Sequence, residues 1–108
     1  VDERLALARE LGATHTLNPK SGVDVVAEIK RLTGAGANRS FDTTGVMKVL
    51  RQAVECLAPR GMCGFVAASA VGTELTVDVL DIMTQGKVVR GIVEGDAIAD
   101  VFIPAMIE

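Results

Sequence analysis

Few residues in this sequence could form a zinc site of the Cys/His type. The 108 residues include one histidine, His15, and two cysteines, Cys56 and Cys63. A protein zinc site takes about four ligands, usually from closely spaced Cys and His residues. The cysteines are seven residues apart with no CxxC pair, and each falls inside a predicted helix or strand. We interpret both as buried apolar residues rather than as ligands or a disulfide, and we expect no metal site within this chain.

Residues His15 and Glu94 are the remaining candidates for proton transfer. His15 lies where a predicted helix turns into a short predicted strand, far from the strand ends at which parallel sheets bind ligands. This position argues against a role as general base. Glu94 follows a predicted strand, and we expect its carboxylate to face solvent or another domain. The sequence therefore predicts no catalytic residue.

Three short segments are better candidates for binding, because each follows a predicted strand and is rich in small residues. They are residues 42–45, 66–69 and 93–95. In an open parallel sheet, ligands bind beyond the carboxyl ends of the strands. Small residues there let the backbone approach a ligand closely.

An alternation of helical and extended patterns must position these segments. The predicted strands are residues 14–17, 40–44, 62–68 and 87–93. The predicted helices are residues 5–11, 23–32, 47–57, 78–85 and a final helix after residue 96, in which Pro104 must occupy the first turn or cause a kink. This order predicts an α/β fold, a partial Rossmann fold with a doubly wound parallel sheet of about four strands and flanking helices.

The composition excludes several classes of protein. Hydrophobic residues make up 49% of the chain, which argues against disorder. The net charge is −3 without a basic run, so we expect no nucleic-acid partner. The apolar runs are too short to span a membrane, and we expect a cytoplasmic protein.

Four segments, taken in order, resemble the medium-chain zinc-type alcohol dehydrogenases. Arg4 to His15 reads RLALARELGATH, and Phe41 to Gly45 reads FDTTG. GIVEG at residues 91–95 and FIP at 102–104 are similar to the aryl- or benzyl-alcohol dehydrogenase branch. The resemblance implies that residues 1–108 are a fragment of a dinucleotide-binding domain, strands three to six of the order 3-2-1-4-5-6, without the catalytic domain. Both ends of the chain read as cuts rather than as natural termini.

The resemblance also implies cofactor-binding positions. Thr43, Thr44 and Gly45 match the strand end that borders the adenosine half, and Arg4 matches a basic residue near its ribose. Arg4 is equally well read as a solvated helix charge. We interpret Asp2 as the residue that starts a helix rather than as the acid that binds the adenosine ribose. That acid is therefore taken to be missing from this chain.

On the nicotinamide side, Val66 and Ala68 match the strand end beneath the ring. Val66, Ile92 and Glu94 match backbone positions that hydrogen-bond its carboxamide, whatever their side chains. Val66 and Ile92 also suit plain core packing.

The implied parent enzyme oxidises a small-molecule alcohol, for which an aryl primary alcohol is the best match, by hydride transfer to NAD, with NADP possible. Its zinc would belong to the catalytic domain, so this fragment alone is expected to be inactive. Two alternatives stay open. One is a non-catalytic half-Rossmann module for oligomerisation or interaction, and the other is a zinc-free quinone or enoyl reductase relative. We expect a homo-oligomer that pairs through the strand at residues 87–93, or a third strand that moves beside the fourth.

Overall fold

The computed structural model describes residues 2–107 as a parallel sheet with helices around it. The strands are β1 (Ala37–Asp42), β2 (Leu57–Phe65) and β3 (Val88–Gly91). The helices are α1 (Asp2–Glu10), α2 (Val25–Thr33), α3 (Met47–Glu55), α4 (Val79–Gln85) and α5 (Ala99–Ile107). Short 3-10 turns lie at Pro19–Ser21 and Glu94–Asp96. None of the helices within residues 2–107 has the length and apolarity to cross a bilayer.

The three strands lie in the order β1-β2-β3, and both neighbouring pairs are parallel. Asp42 pairs with Phe65, and Phe65 pairs with Gly91, so the strands end level with one another. The connections run through α3 between β1 and β2 and through α4 between β2 and β3. These are the βαβ units that the sequence predicts, and the α/β prediction is confirmed.

The start of β2 contains a bulge that the sequence analysis missed. Ala37 pairs with Leu57, but Arg39, two residues later, pairs with Met62, so β2 carries extra residues that face no partner on β1. We predicted that the helix would run to residue 57, with the following Pro-Arg-Gly as its end. Instead α3 ends at Glu55, and the chain enters the sheet at once.

Capping residues explain where two of the helices begin. The side chain of Asp24 accepts a hydrogen bond from the amide of Ala27 at the start of α2, and Asp78 accepts from the amides of Leu80 and Asp81 at the start of α4. Such caps satisfy amides that have no partner within the helix. The helix that we predicted to follow Asp78 is therefore confirmed.

The core lies on one face of the sheet. It is formed by Leu50 and Val54 of α3 against Leu57 and Cys63 of β2, with partly buried residues of α4 and the 73–77 segment beside them. On the other face, Phe41 is 59% exposed and Val88 is 43% exposed. Neither α1 nor α5 buries a residue. Residues 2–107 thus supply one of the two helical layers of a doubly wound sheet.

The structure corrects several predictions. The segment at residues 14–17 is not a strand, because it has no neighbouring strand to complete a hydrogen-bonded ladder, and it does not move beside β1. The sheet of residues 2–107 therefore has three strands, close to the predicted number of about four. Of the two alternatives predicted for Pro104, a place in the first turn is wrong, because Pro104 lies further inside α5. The predicted strands at residues 62–68 and 87–93 continue too far, since β2 ends at Phe65 and β3 at Gly91.

Candidate functional site

The carboxyl ends of all three strands lie at one edge of the sheet, as the parallel register requires. The amide of Val66 donates to the carbonyl of Asp42 over 3.1 Å, and the amide of Ile92 donates to the carbonyl of Phe65 over 2.9 Å. These two bonds extend the ladder one residue past the end of β2 and of β3. The segments that begin at residues 42, 66 and 93 are therefore neighbours, in the arrangement on which a shared binding edge depends.

A closed turn follows β1. The carboxylate of Asp42 accepts hydrogen bonds from the hydroxyl of Thr44 at 2.7 Å, from the amide of Thr44 at 3.1 Å and from the amide of Gly45 at 3.2 Å. The Thr44 hydroxyl also accepts from the amide of Val46 at 3.1 Å, just before α3 begins. The turn is thus held by side chains as well as by its backbone.

The charge of Asp42 follows from this network. The residue is only 3% exposed. Burial raises the pKa of a carboxyl group, but the hydrogen bonds from Thr44 and Gly45 together outweigh it, and the pKa of Asp42 lies below its ordinary value. The carboxyl group is therefore ionised at neutral pH.

Gly45 brings the turn close to the segment after β2. Its φ of +68° is one that side chains disfavour, and a Cβ placed on it would lie 3.2 Å from the Cβ of Ala67 and 3.6 Å from the carbonyl oxygen of Ala68. The hydroxyl of Ser69 contacts the Gly45 carbonyl at 3.4 Å. Glycine is favoured here because this φ strains any side chain and because an added Cβ would press on Ala67.

The ends of β2 and β3 present main-chain polar groups. Among residues 2–107, no donor forms a hydrogen bond with the carbonyl of Val66 or of Ile92. The amide of Glu94 likewise donates a hydrogen bond to no acceptor in that range. Glu94, Gly95 and Asp96 all have positive φ, at 51°, 64° and 54°. This left-handed turn takes the chain away from β3 and leaves the amide of Glu94 free beside the strand end.

A cleft of about 390 Å³ opens beside these strand ends on the core side of the sheet. Its lining includes Asp42, Gly45, Phe65, Ala67 and Ser69, with residues 73 and 75 across from them. The walls are mostly apolar, and the polar atoms lie along the loops. Such a combination is typical of ligand sites that use a few polar groups to fix orientation.

The predicted site residues fall into two groups. Six lie on the three strand-end segments and Ile92 directly precedes the third segment; the six are Thr43, Thr44, Gly45, Val66, Ala68 and Glu94. Arg4 is exposed on α1 and makes no hydrogen bond or ion pair with any described residue. Its place near the ribose therefore stays a prediction.

The sequence analysis missed two side chains that organise this edge, Asp42 and Ser69. Asp42 was noted only as part of a small-residue segment. The signal that could have identified it is an aspartate at the end of a strand, two residues before a threonine and three before a glycine, because such an aspartate often accepts from the backbone that follows it.

The other reactive side chains lie elsewhere. Cys56 and Cys63 are buried and free, and burial raises the pKa of the Cys56 thiol. His15 is exposed, with its Nδ1 3.2 Å from the hydroxyl of Thr14. Within residues 2–107, no group of three or more His, Cys, Asp or Glu side chains is arranged to hold a metal ion. The buried, apolar interpretation of the cysteines is confirmed.

Comparison with known proteins identifies relatives along the whole chain. The model of a family described as zinc-binding dehydrogenase matches residues 1–107. The chain is 43% identical over 105 residues to geraniol dehydrogenase of Castellaniella defragrans, and the match covers 97% of this chain but 28% of the relative.

Solved structures of dehydrogenases also resemble this chain. Benzyl alcohol dehydrogenase from Acinetobacter calcoaceticus superposes with a TM-score of 0.93 at 40% identity, over 99% of this chain and 29% of that one. A zinc-binding dehydrogenase from Sinorhizobium meliloti with bound NADP superposes with a TM-score of 0.77 at 26% identity, over 82% and 27%. The chain thus spans less than a third of the relatives that it matches.

Proposed function

Because the chain belongs to the family of zinc-binding dehydrogenases, we propose that it forms part of the nicotinamide-cofactor-binding domain of an alcohol dehydrogenase. The parent enzyme would oxidise an alcohol to an aldehyde or ketone, with NAD or NADP as the hydride acceptor. The NADP-bound relative from Sinorhizobium meliloti supports this class of cofactor. The benzyl alcohol dehydrogenase relative supports an aryl primary alcohol as substrate.

The observation that carries this proposal is the set of free main-chain groups at the ends of β2 and β3. A carboxamide has two N–H donors and one carbonyl acceptor. The carbonyls of Val66 and Ile92 provide two acceptors, and the amide of Glu94 provides one donor. The amides of Val66 and Ile92 are held in the sheet, which keeps both residues at the strand ends. In number and type, the free groups match the hydrogen-bonding groups of the carboxamide of a nicotinamide ring.

We further propose that Thr43, Thr44 and Gly45 border the adenosine half, where the bare backbone at Gly45 allows close approach. Ala68, which follows β2, would lie beneath the nicotinamide ring. Arg4 would contact the ribose only if α1 were held against the cofactor by parts of the parent enzyme outside this chain.

The role of these residues would be to orient the nicotinamide ring. When it is bound, the nicotinamide ring accepts the hydride that leaves the alcohol carbon. The carbonyls of Val66 and Ile92 and the amide of Glu94 would fix the rotation of the ring, so that one of its faces meets the substrate. The described residues do not fit a zinc ion, and we assign zinc to the catalytic domain of the parent enzyme.

The carboxamide contacts can be tested on the isotope-labelled chain by NMR titration with reduced nicotinamide mononucleotide. We expect amide shifts at residues 66–68 and 92–95, and none at Ala37, Leu57 or Val88 at the opposite edge. The nicotinic acid analogue is a matched control, because its carboxylate has no N–H to donate and would repel the two carbonyls. Equal shifts with both compounds would contradict the proposal.

The activity can be tested in a chimaera in which this chain replaces the aligned 105 residues of the Castellaniella geraniol dehydrogenase. We expect a folded enzyme that reduces NAD or NADP with benzyl alcohol or geraniol. A chimaera that is folded and zinc-loaded but binds neither cofactor would argue against the proposal.

We also propose that the parent enzyme is a cytoplasmic homo-oligomer in which β3 pairs with its copy. The support is that β3 lies at the edge of the sheet and has one strand neighbour among the described residues. The free cysteines are consistent with a reducing compartment.

A further inference from the structure

We propose that Asp42 is a positioning residue, which holds the loop of residues 43–46 in the conformation that borders the adenosine half of the cofactor. The inference rests on the proposed function, and it adds to it a residue whose role is to hold the loop rather than to bind the cofactor. Three independent features carry the argument: the donors around the carboxylate, the link to α3, and the link to the end of β2.

The first feature is that protein donors occupy both carboxylate oxygens of Asp42. One oxygen accepts from the amide and the hydroxyl of Thr44, and the other accepts from the amide of Gly45. The residue is 3% exposed, so water reaches the carboxylate little and these protein donors supply its hydrogen bonds. A carboxylate bonded in this way is a structural acceptor, and both its position and its partners argue against proton transfer to a substrate.

The second feature is the link to α3. The residue before this helix is Val46, which has no side-chain oxygen to cap it. The Thr44 hydroxyl instead fixes Val46 itself, because it accepts from the amide of Val46 while it donates its own proton to Asp42. One carboxylate therefore orders the loop and, through Thr44, the residue from which the helix starts.

The third feature is the link to the neighbouring strand end. The carbonyl of Asp42 accepts from the amide of Val66 at 3.1 Å, while its side chain fixes Gly45. An added Cβ on Gly45 would lie only 3.2 Å from the Cβ of Ala67. Asp42 thus sets the spacing between the two segments that would flank the cofactor. Its ionised form favours all three side-chain hydrogen bonds, because a carboxylate is a stronger acceptor than a neutral group.

The test compares variants of the labelled chain by NMR. Asp42→Asn keeps one acceptor oxygen but turns an NH2 group towards an amide or hydroxyl that also donates, and so breaks part of the network. Thr44→Val removes the hydroxyl at nearly constant volume, and Thr44→Ser restores it. Asp24→Asn is the matched control, since Asp24 also accepts a backbone amide before a helix but lies outside the proposed site.

We expect the Thr44 and Gly45 amides of the unsubstituted chain to give single, exchange-protected signals. These signals should broaden or lose protection in D42N and T44V, recover in T44S, and remain in D24N. Affinity for NADH should fall about tenfold or more in D42N, with a smaller loss in T44V that T44S reverses. Amides of Val54 and Cys63 report that the core is intact in every variant.

The outcomes separate the two proposals. If NADH shifts residues 43–45 but D42N binds as tightly as the unsubstituted chain, the positioning role is wrong and the proposed function stands. If T44S behaves like T44V, the hydroxyl link is wrong. If the unsubstituted chain shows no shift with NADH, the proposed function is wrong. The positioning role is then wrong as well, even if the loop loses order in the variants as expected.

Discussion

Asp42 has a charge, and Arg60 a backbone conformation, that is costly unless its surroundings compensate. Asp42 is a buried carboxylate, and burial alone would raise its pKa. Hydrogen bonds from Thr44 and Gly45 reverse the shift. Arg60, on the bulge of β2, has a φ of +63° although it is neither glycine nor asparagine. The hydrogen bonds offset the cost of burying the Asp42 carboxylate, whereas no contact among the described residues offsets the backbone strain at Arg60.

Acidification should remove the contribution of Asp42 to stability. The pKa of Asp42 is lower in the folded chain than in the unfolded chain, so the unfolded chain takes up the proton first as the pH falls. The stabilisation is therefore complete above the unfolded value of about 3.9 and is lost as the pH falls through the folded value.

Urea unfolding at a series of pH values would measure this loss. We expect D42N to be less stable than the unsubstituted chain by about 1–3 kcal/mol at neutral pH, with the difference shrinking in acid. A difference that stays constant down to the lowest pH at which the chain folds would contradict this account.

Arg60→Gly should stabilise the chain. A non-glycine residue in the left-handed region costs about 1–2 kcal/mol, and glycine returns part of that gain by making the unfolded chain more flexible. We expect a net increase of about 0.5–1 kcal/mol in the free energy of unfolding by urea. Arg60→Ala is the control, because it removes the exposed side chain and keeps the strain. Equal stability of the two variants would show that the backbone angle is not the cause.

At the scale of elements, the sequence predicted what depends on local pattern. The apolar spacing of Met47, Leu50 and Val54 predicted α3, and the Asp78 cap predicted the start of α4; both are present. Strand ends and the bulge depend on pairing between distant segments, which a single sequence does not display. The helix pattern could be extended to Leu57 only because nothing local revealed its partner, Ala37.

The candidate site divides in the same way. Its position followed from parallel topology, and seven of the eight predicted residues lie on the strand-end segments or, for Ile92, directly before one. The eighth, Arg4, is exposed on α1, which buries no residue, and its role near the ribose stays a prediction. The role of Asp42 became visible only from its burial and its hydrogen bonds.

One ion pair joins α4 to the residue that precedes β3, and its two partners should respond differently to mutation. Lys87 Nζ lies 2.7 Å from an oxygen of Asp81, with side-chain exposures of 3% and 35%. Removal of Asp81 leaves a buried ammonium group unpaired, which costs about 3–5 kcal/mol. Removal of Lys87 leaves a carboxylate that water can still reach.

We therefore expect Asp81→Ala to lower the free energy of unfolding by about 3 kcal/mol, and Lys87→Met to lower it by less than about 1 kcal/mol. The double variant should resemble Lys87→Met, because the buried charge is gone in both. Thermal or urea unfolding of the three variants would measure this asymmetry, and a reversed order would disprove it.

At the scale of the whole molecule, the described residues leave much apolar surface uncovered. Leu11, which follows α1, is 80% exposed. Phe102 of α5 is 53% exposed, and Phe41 on the open face of the sheet is 59% exposed. The radius of gyration is 15.7 Å, against about 13 Å for a compact domain of this length. The relatives, of which this chain covers less than a third, have further chain that could cover such surfaces.

An uncovered strand edge beside exposed apolar residues favours association between copies of the isolated chain. Val88 begins β3 and is 43% exposed. We expect the chain to sediment as a dimer or larger species at micromolar concentration, and Val88→Lys to weaken that association about tenfold, because a charge at an edge strand opposes pairing. Val71→Lys makes the same change at a valine that is fully exposed in a loop, and it should leave association unaltered. If the unsubstituted chain sediments as a monomer at all concentrations, pairing through β3 is ruled out. If both variants weaken association equally, the cause is the change in net charge rather than a charge at the strand edge.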